Sequence, residues 1–340
     1  MDICNQIHEY NLPEGKVKQM NEIDVFTLGE SMVVFQPERM QSLEYVQQFP
    51  KRMGGAESNV AIGLSRLGHK VGWFSKLGND SFGQYVHKTI RGEGVDTSTC
   101  KFTDEAQTGI LFKEQLSPED MNVYYYRKGS AASLMAPEDL DESYIAGAKV
   151  LHISGITPAL SETSYRTAMR AIEIAKENGL KIVFDPNLRL KLWAPETAKK
   201  VLNEIAAHAD VILPGLDEGQ FMTGKTEIED IAETLRAGGD KIIIIKTGSD
   251  GAYLHTKNET AYVAGFPVTQ IVDPVGAGDG FAAGIISGLL KQEPLQHAVK
   301  RANAIGALAV TVHGDYEGLP TSLAVEQFIQ PDKSAKDVKR

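Results

Sequence analysis

The sequence predicts an α/β fold, a mainly parallel sheet covered by helices on both faces, with a small β appendage beside it. Three observations lead there. Short β-rich apolar runs alternate with amphipathic helical patterns along almost the whole chain, and parallel strands need such helical crossovers. Several of the helical stretches end in Gly, a common way to stop a helix. Two further stretches break the alternation and read as strand pairs. At 340 residues and 42% hydrophobic content, the chain can bury a substantial core.

Residues 1–21 are polar and lack the apolar run of a secretory signal. They are expected to be a poorly ordered extension of a cytoplasmic protein. The folded unit is expected to span 22–325. Within it DVFTLG (24–29), VGWFSKLG (71–78), KVLHISG (149–155), KIVFDPN (181–187), DVILPG (210–215) and KIIIIKTG (241–248) read as strands. Between them SNVAIGLSRLG, SFGQYVHKTIRGEG, SETSYRTAMRAIEIAKENG and PETAKKVLNEIAAHA repeat apolar residues at three- and four-residue spacing, the period of a helix with one buried face. The exceptions are 31–52 and 107–128, where strand-like pieces are joined by polar turns with no helix between them. Their partly apolar faces suit one small β lid over an edge of the main sheet. Residues 326–340, ending in DKSAKDVKR, are expected to be a charged, frayed tail.

Composition removes several function classes. A net charge of −10 argues against a nucleic-acid surface, which needs clustered Lys and Arg. No run of ~18 apolar residues is present to span a bilayer. Cys4 and Cys100 form neither a disulfide framework nor metal-ligand spacing. The eight histidines are scattered without a metal-binding pair, and no G-x-S-x-G nucleophile elbow occurs.

The most informative stretch is DPVGAGDGFAAG (273–284), in which a single internal acid, Asp279, stands among glycines and alanines before an apolar run. A helix N-terminus carries unpaired N–H groups and partial positive charge, and bare neighbours let an anion approach them. Gly276, Ala277 and Gly278 supply that geometry before a helix expected to start near Asp279. Asp279 by itself reads in two ways: a helix cap, or a carboxylate that takes a proton from an attacking hydroxyl while backbone amides hold a phosphoryl group. GAGDGF is not a dinucleotide fingerprint, because Phe281 stands where the third Gly belongs. GQFMTGKT (219–226) matches the P-loop expression. Its context is wrong, since Phe221 and Met222 read as core residues of a short helix stopped by Gly224, and the match is read as accidental.

KRMGGAESNVAIGLSRLG (51–68) and DPVGAGDGFAAG together resemble the two signatures of the ribokinase-like (PfkB) carbohydrate kinases, and the resemblance extends from about Asp24 to about Pro320. It implies a three-layer α/β/α sandwich with a small β lid, ATP and Mg2+ as cosubstrate and ion, and Asp279 as the catalytic base. YYYRKGSAAS (124–133), HISGITPALS (152–161), FDPNLRLKLW (184–193) and GDYEGLP (314–320) are most similar to the branch that phosphorylates 2-keto-3-deoxygluconate. The resemblance then implies substrate contacts from Gly55, Ala56, Glu57, Ser58, Asn59, Tyr125, Tyr126, Arg127, Arg189 and Asp315. It implies nucleotide contacts from Asn187, Arg189, Thr247, Gly248, Ser249, Asp250, Gly251, Ala252 and the stretch Gly276, Ala277, Gly278 and Asp279. Glu218, with Asp185 near it, would face the metal, through water in one reading.

Two departures from the family pattern stand out. Gly215 occupies the Asn position of Asn-x-x-Glu, and Leu111 stands near a position where relatives of this branch often carry Tyr. A sugar acid adds a carboxylate that Arg pairs in fork geometry, so Arg127 and Arg189 read either as that clamp or as ordinary surface charges. Alternation along a strand puts Tyr125 and Arg127 on one face and Tyr126 on the other. The leading expectation is a sugar-acid kinase acting on the 6-hydroxyl of 2-keto-3-deoxygluconate. A neutral-sugar kinase acting on fructose or ribose, and a non-catalytic sugar-acid sensor, are the alternatives. A monovalent-cation requirement stays open, as does a homo-oligomer formed through the lid.

Overall fold

The computed structural model describes residues 23–117 and 121–331, so the extension expected at 1–21 lies outside the described residues. Its strands are β1 (Val25–Leu28), β2 (Met32–Phe35), β3 (Lys51–Gly54), β4 (Val71–Phe74), β5 (Lys76–Gly78), β6 (Lys101–Thr103) and β7 (Ile110–Gln115). They continue as β8 (Met121–Tyr126), β9 (Val150–Ser154), β10 (Lys181–Asp185), β11 (Val211–Ile212), β12 (Ile242–Lys246), β13 (Gly251–His255) and β14 (Thr260–Ala264). The main sheet runs β14–β13–β12–β11–β10–β9–β1–β4. It is parallel from β12 through β4 and antiparallel only where β13 and β14 extend one edge.

The strands divide their side chains between two cores, as a period of two dictates. Val25, Trp73, Val183, Val211 and Ile244 pack on one face with the helices Ala56–Arg66, Ala277–Leu290 and Leu295–Ala309. Phe26, Leu151, Ile182, Phe184, Ile212 and Ile243 pack on the other with the helices Glu162–Glu177, Pro195–His208 and Ile228–Arg236. Burial on both faces explains why these strands read as continuous apolar runs. The result is the three-layer α/β/α sandwich.

Five of the six expected strands of the main sheet are single strands. VGWFSKLG is not: the run divides at Ser75, whose carbonyl accepts Lys101 N–H at 3.0 Å. β4 stays in the main sheet while β5 pairs with β6 in a separate ribbon. The stretches 31–52 and 107–128 supply β2, β3, β7 and β8, which form one four-stranded sheet in the order β3–β2–β7–β8. The two segments meet through the parallel pair β2–β7. At the other end of the chain, the helix Ser322–Ile329 runs past the boundary expected at 325. Val325 is fully buried in its first core, which explains why a tail expected to fray from 326 instead continues a helical turn. Residues 332–340 lie outside the described residues. Among the described residues, no helix is long and apolar enough to cross a membrane.

The helix Ala277–Leu290 is apolar on almost every side because it lies between the helices Ala56–Arg66 and Leu295–Ala309. Its later glycines serve that packing. A Cβ on Gly284 would sit 2.7 Å from Ala302 Cα, and one on Gly288 2.4 Å from Ala298 Cβ. The P-loop-like stretch is indeed part of a helix, Leu216–Thr223, ended by Gly224 at φ 76°, with Met222 buried beneath it.

Candidate active site

A cleft of about 440 Å³ opens between the four-stranded sheet and the C-terminal ends of the main-sheet strands, where parallel sheets place their ligands. Asp185 is the last residue of β10 and Lys246 the last of β12. Across from them starts the helix Ala277–Leu290. Its N-cap is Gly276, at φ 84° and with no side-chain cap. Two causes require Gly there: the left-handed backbone, and the Asp315 carbonyl oxygen, which a Cβ would meet at 1.9 Å. Gly278 is different, since a Cβ there would find only Lys246 Nζ, at 3.8 Å. The earliest bond of this helix is donated by Gly280 N–H to the Gly276 carbonyl at 2.8 Å. The N–H groups before it have no helical acceptor and carry the positive end of the helix dipole.

The helix begins at Ala277, two positions before the start expected near Asp279, so Asp279 is its third residue and does not cap it. Its Oδ2 accepts Asn59 Nδ2–H at 2.7 Å, and Asn187 Nδ2 stands 3.5 Å from Oδ1. Asn187 holds a φ of 39°, a conformation that Asn tolerates better than most side chains. Burial pushes the Asp279 carboxyl up to about 7, helped by the nearby Asp185 charge and resisted by the Asn59 bond. A carboxyl poised there exchanges its proton near neutral pH.

Lys246 donates to both Asp185 oxygens at 2.9 Å. Burial opposes the Lys246 charge, but Asp185 and Glu218 outweigh it and hold the ammonium above its usual range. Lys246 therefore brings a fixed positive charge to the cleft wall beside Gly278. Glu218 uses both oxygens on backbone, accepting Leu188 N–H at 2.8 Å and Gly215 N–H at 2.7 Å. Every oxygen of Asp185 and Glu218 thus already accepts one hydrogen bond within the protein. Among the described residues, no group of three His, Cys, Asp or Glu could hold a metal. The donor set does not form an all-protein cage for Mg2+, an ion that usually keeps several waters and takes only one or two carboxylates beside substrate phosphates.

The small sheet forms the opposite wall. Tyr125 and Arg127 line the cleft, with the guanidinium 5.5 Å from the Tyr125 ring centroid. Arg127 is not an idle clamp: Nε donates to Glu30 Oε2 at 2.6 Å, and an Nη pairs with the same carboxylate. Ser130 Oγ donates to the other Glu30 oxygen. Arg189 is exposed at the rim, where an Nη donates to the Leu188 carbonyl at 3.0 Å. Asp315 also lines the cleft, with its Oδ1 taken by Lys113 at 2.5 Å.

Several expected contacts are not brought to the cleft surface. Tyr126 lies on the opposite face of β8, edge-on to Phe112 at 5.8 Å. Glu57 and Ser58 are fully buried. Glu57 Oε1 accepts from Ser154 at 2.5 Å and Thr157 at 2.7 Å, while Ser58 donates to the Gly55 carbonyl. Both lie on the inward side of the helix, whereas Gly55, Ala56 and Asn59 face the cleft. The turn Thr247, Gly248, Ser249, Asp250 lies just beyond Lys246 at the same end of the sheet, outside the cleft lining. Gly251 and Ala252 belong to β13, with Ala252 wholly buried. Ala277 turns its methyl toward the core, leaving only its main chain on the loop side. The sequence reading missed Glu30, Lys113 and Lys246. A signal existed for two of them, since Glu30 and Lys246 sit at the ends of strands already recognised.

An uncapped acid beside bare helix amides and a fixed lysine, on a three-layer sandwich with a β wall, defines a phosphoryl-transfer cleft for a small polar acceptor. Residues 22–322 match the model of the pfkB family carbohydrate kinases, and the chain belongs to that family. It is an enzyme, a carbohydrate kinase. It is 40% identical to the 2-dehydro-3-deoxygluconokinase of Bacillus subtilis, over 94% of this chain and 99% of the relative. It is 31% identical to the 5-dehydro-2-deoxygluconokinase of Halalkalibacterium halodurans, over 92% and 96%. A fructokinase from Vibrio cholerae, solved with fructose, ADP and calcium ion bound, is 29% identical and superposes with a TM-score of 0.81, covering 91% of this chain and 99% of that one.

Proposed function

We propose that this kinase transfers the γ-phosphoryl group of ATP to the 6-hydroxyl of 2-keto-3-deoxygluconate, with Asp279 as general base. The carrying observation is the carboxyl of Asp279, uncapped, raised to about 7 and placed at the start of a helix with unpaired amides. The substrate oxygen attacks phosphorus as its proton passes to Asp279, and the bond from phosphorus to the bridging oxygen of ADP breaks. The N–H groups at Gly276, Ala277 and Gly278 and the Lys246 ammonium offset the phosphoryl charge. Mg2+ bound with the nucleotide would supply charge neutralisation, and Glu218 and Asp185 are the residues that would face it, through water in one reading.

The acid end of the substrate is assigned to Arg127 and Arg189. Glu30 orients Arg127 and neutralises part of its charge, so the freer rim residue Arg189 carries the larger share of carboxylate recognition. The 40% identity to a 2-dehydro-3-deoxygluconokinase supports this substrate over the alternatives. A neutral sugar remains the second reading because Glu30 already satisfies Arg127 and a carboxylate can also accept sugar hydroxyls. A panel of sugar acids and neutral sugars with Mg-ATP tests both. The expected outcome is a kcat/KM for 2-keto-3-deoxygluconate well above that for fructose or ribose. Preference for a neutral sugar overturns the substrate, and absence of turnover with any of them overturns the proposed reaction.

A further inference from the structure

Lys113 lies in the middle of β7, in the small sheet, yet its side chain is only 2% exposed. Its ammonium sits 2.5 Å from Asp315 Oδ1 and 3.4 Å from Asp273 Oδ2. Both acids are buried and both belong to the frame of the glycine loop. Asp273 opens the loop, and its Oδ1 accepts Val275 N–H at 3.0 Å while Oδ2 accepts Gly314 N–H at 3.3 Å. Asp315 supplies the carbonyl against which Gly276 is fitted, and its Oδ2 lies where a Cβ of Gly54 would be, at 2.2 Å. One ammonium therefore joins three segments: the small sheet, the entry to the loop and the backing of Gly276.

We propose that Lys113 is a positioning residue, a tethered cation that locks the small sheet to the loop whose amides receive the phosphoryl group. Buried carboxylates are costly without a partner, and the pair Asp273 and Asp315 would repel each other without a cation between them. Losing it would let the loop segments separate and would misalign the amides at Gly276 and Gly278. Preorganised donors lose much of their effect when displaced, so turnover falls more than substrate affinity. The wild-type chain carries its own cation at this point and needs no external one there.

This inference rests on the reading that the cleft takes ATP, which wild-type turnover tests separately; Lys113 is judged only by ratios to wild type. Lys113→Ala is assayed at constant ionic strength in tetramethylammonium chloride and in ammonium chloride. The expected result is a kcat lowered by about 10–100-fold in tetramethylammonium, with a smaller change in KM for the sugar, and substantial recovery in ammonium, which is small enough to enter the vacated space. Lys113→Arg, which keeps the charge, is expected to retain more turnover than Lys113→Ala, and wild type to be indifferent to the salt. A kcat within about twofold of wild type, or a loss equal in both salts, overturns the proposal. If Lys113→Ala does not fold, the double variant Lys113→Met with Asp273→Asn, which removes one charge of each sign, is used instead. It is expected to stay slow in both salts, and full activity in it overturns the proposal.

Discussion

Asp279 is the proposed base, and its environment makes that proposal testable. Asp279→Asn is expected to lower kcat by ~100-fold or more while leaving ATP affinity largely intact, as measured by steady-state kinetics and nucleotide titration. Near-wild-type turnover in that variant removes the assigned base. The raised carboxyl also sets a pH profile. Only the ionised form accepts a proton, so kcat/KM of the wild-type enzyme should rise with pH, with its midpoint at about 7. Stability runs the other way. The folded pKa lies above the unfolded value of about 3.9, so the stability tied to the protonated form is complete below about pH 4 and lost as pH rises through about 7. Asp279→Asn should therefore melt above wild type at about pH 8 and with no such advantage at about pH 4. The two arginines are separable at this scale as well. Arg189→Ala should cost a sugar acid at least ~10-fold in kcat/KM and a neutral sugar little, since it removes a charge-assisted pair. Equal losses on both substrates dispose of the carboxylate assignment.

At the scale of elements, the glycine loop joins two kinds of glycine with different duties. Gly276 is demanded by a left-handed turn and by the Asp315 carbonyl. Gly276→Ala should destabilise the fold by about 1–3 kcal/mol in denaturant melts, as backbone strain usually does, and should shift the helix start enough to abolish turnover. Gly278→Ala meets no such obstacle, its Cβ reaching only Lys246 Nζ at 3.8 Å. Its melting curve should match wild type while KM for ATP rises, because the methyl occupies space beside the amides. A destabilised Gly278→Ala with normal KM reverses this division of roles. Asp185 and Lys246, at the ends of β10 and β12 with only β11 between them, show a related economy: the carboxylate accepts from the lysine with both oxygens and keeps it charged at the cleft wall.

Across the whole molecule, the small sheet has two faces of different character. Toward the cleft it presents Met32 and Leu111 beside Tyr125. On the other side Phe35, Phe49, Phe112 and Tyr126 form an aromatic group, and Tyr126 is 65% exposed. Such an exposed aromatic patch is a reasonable site for self-association, and we propose that a homodimer forms through it. Light scattering after gel filtration should report a dimer for wild type and a smaller species for Tyr126→Glu. A monomeric wild type refutes that proposal and leaves the catalytic reading unchanged.

What the chain alone made legible was whatever lies contiguous along it. Buried parallel strands announce themselves as apolar runs, helices as a three-and-four spacing, and the loop at 273–284 as a single internal acid among glycines and alanines. The edge strand β14 was missed because it alternates exposed and half-buried residues and so lacks an apolar run, and β13, though buried, is a short GAYLH run that opens on Gly and closes on His. The cleft's remaining charges stayed hidden for a different reason. Arg127 meets Glu30 across 97 residues, Lys113 meets Asp273 across 160, and Asn59 meets Asp279 across 220. No local pattern encodes such partners; packing of the two sheets and the helix layer brings them together. Local sequence determined the proposed base and the bare helix start beside it, since both are built from adjacent residues. Tertiary structure decided which charges surround them, because a buried ion finds its counter-ion through space rather than along the chain.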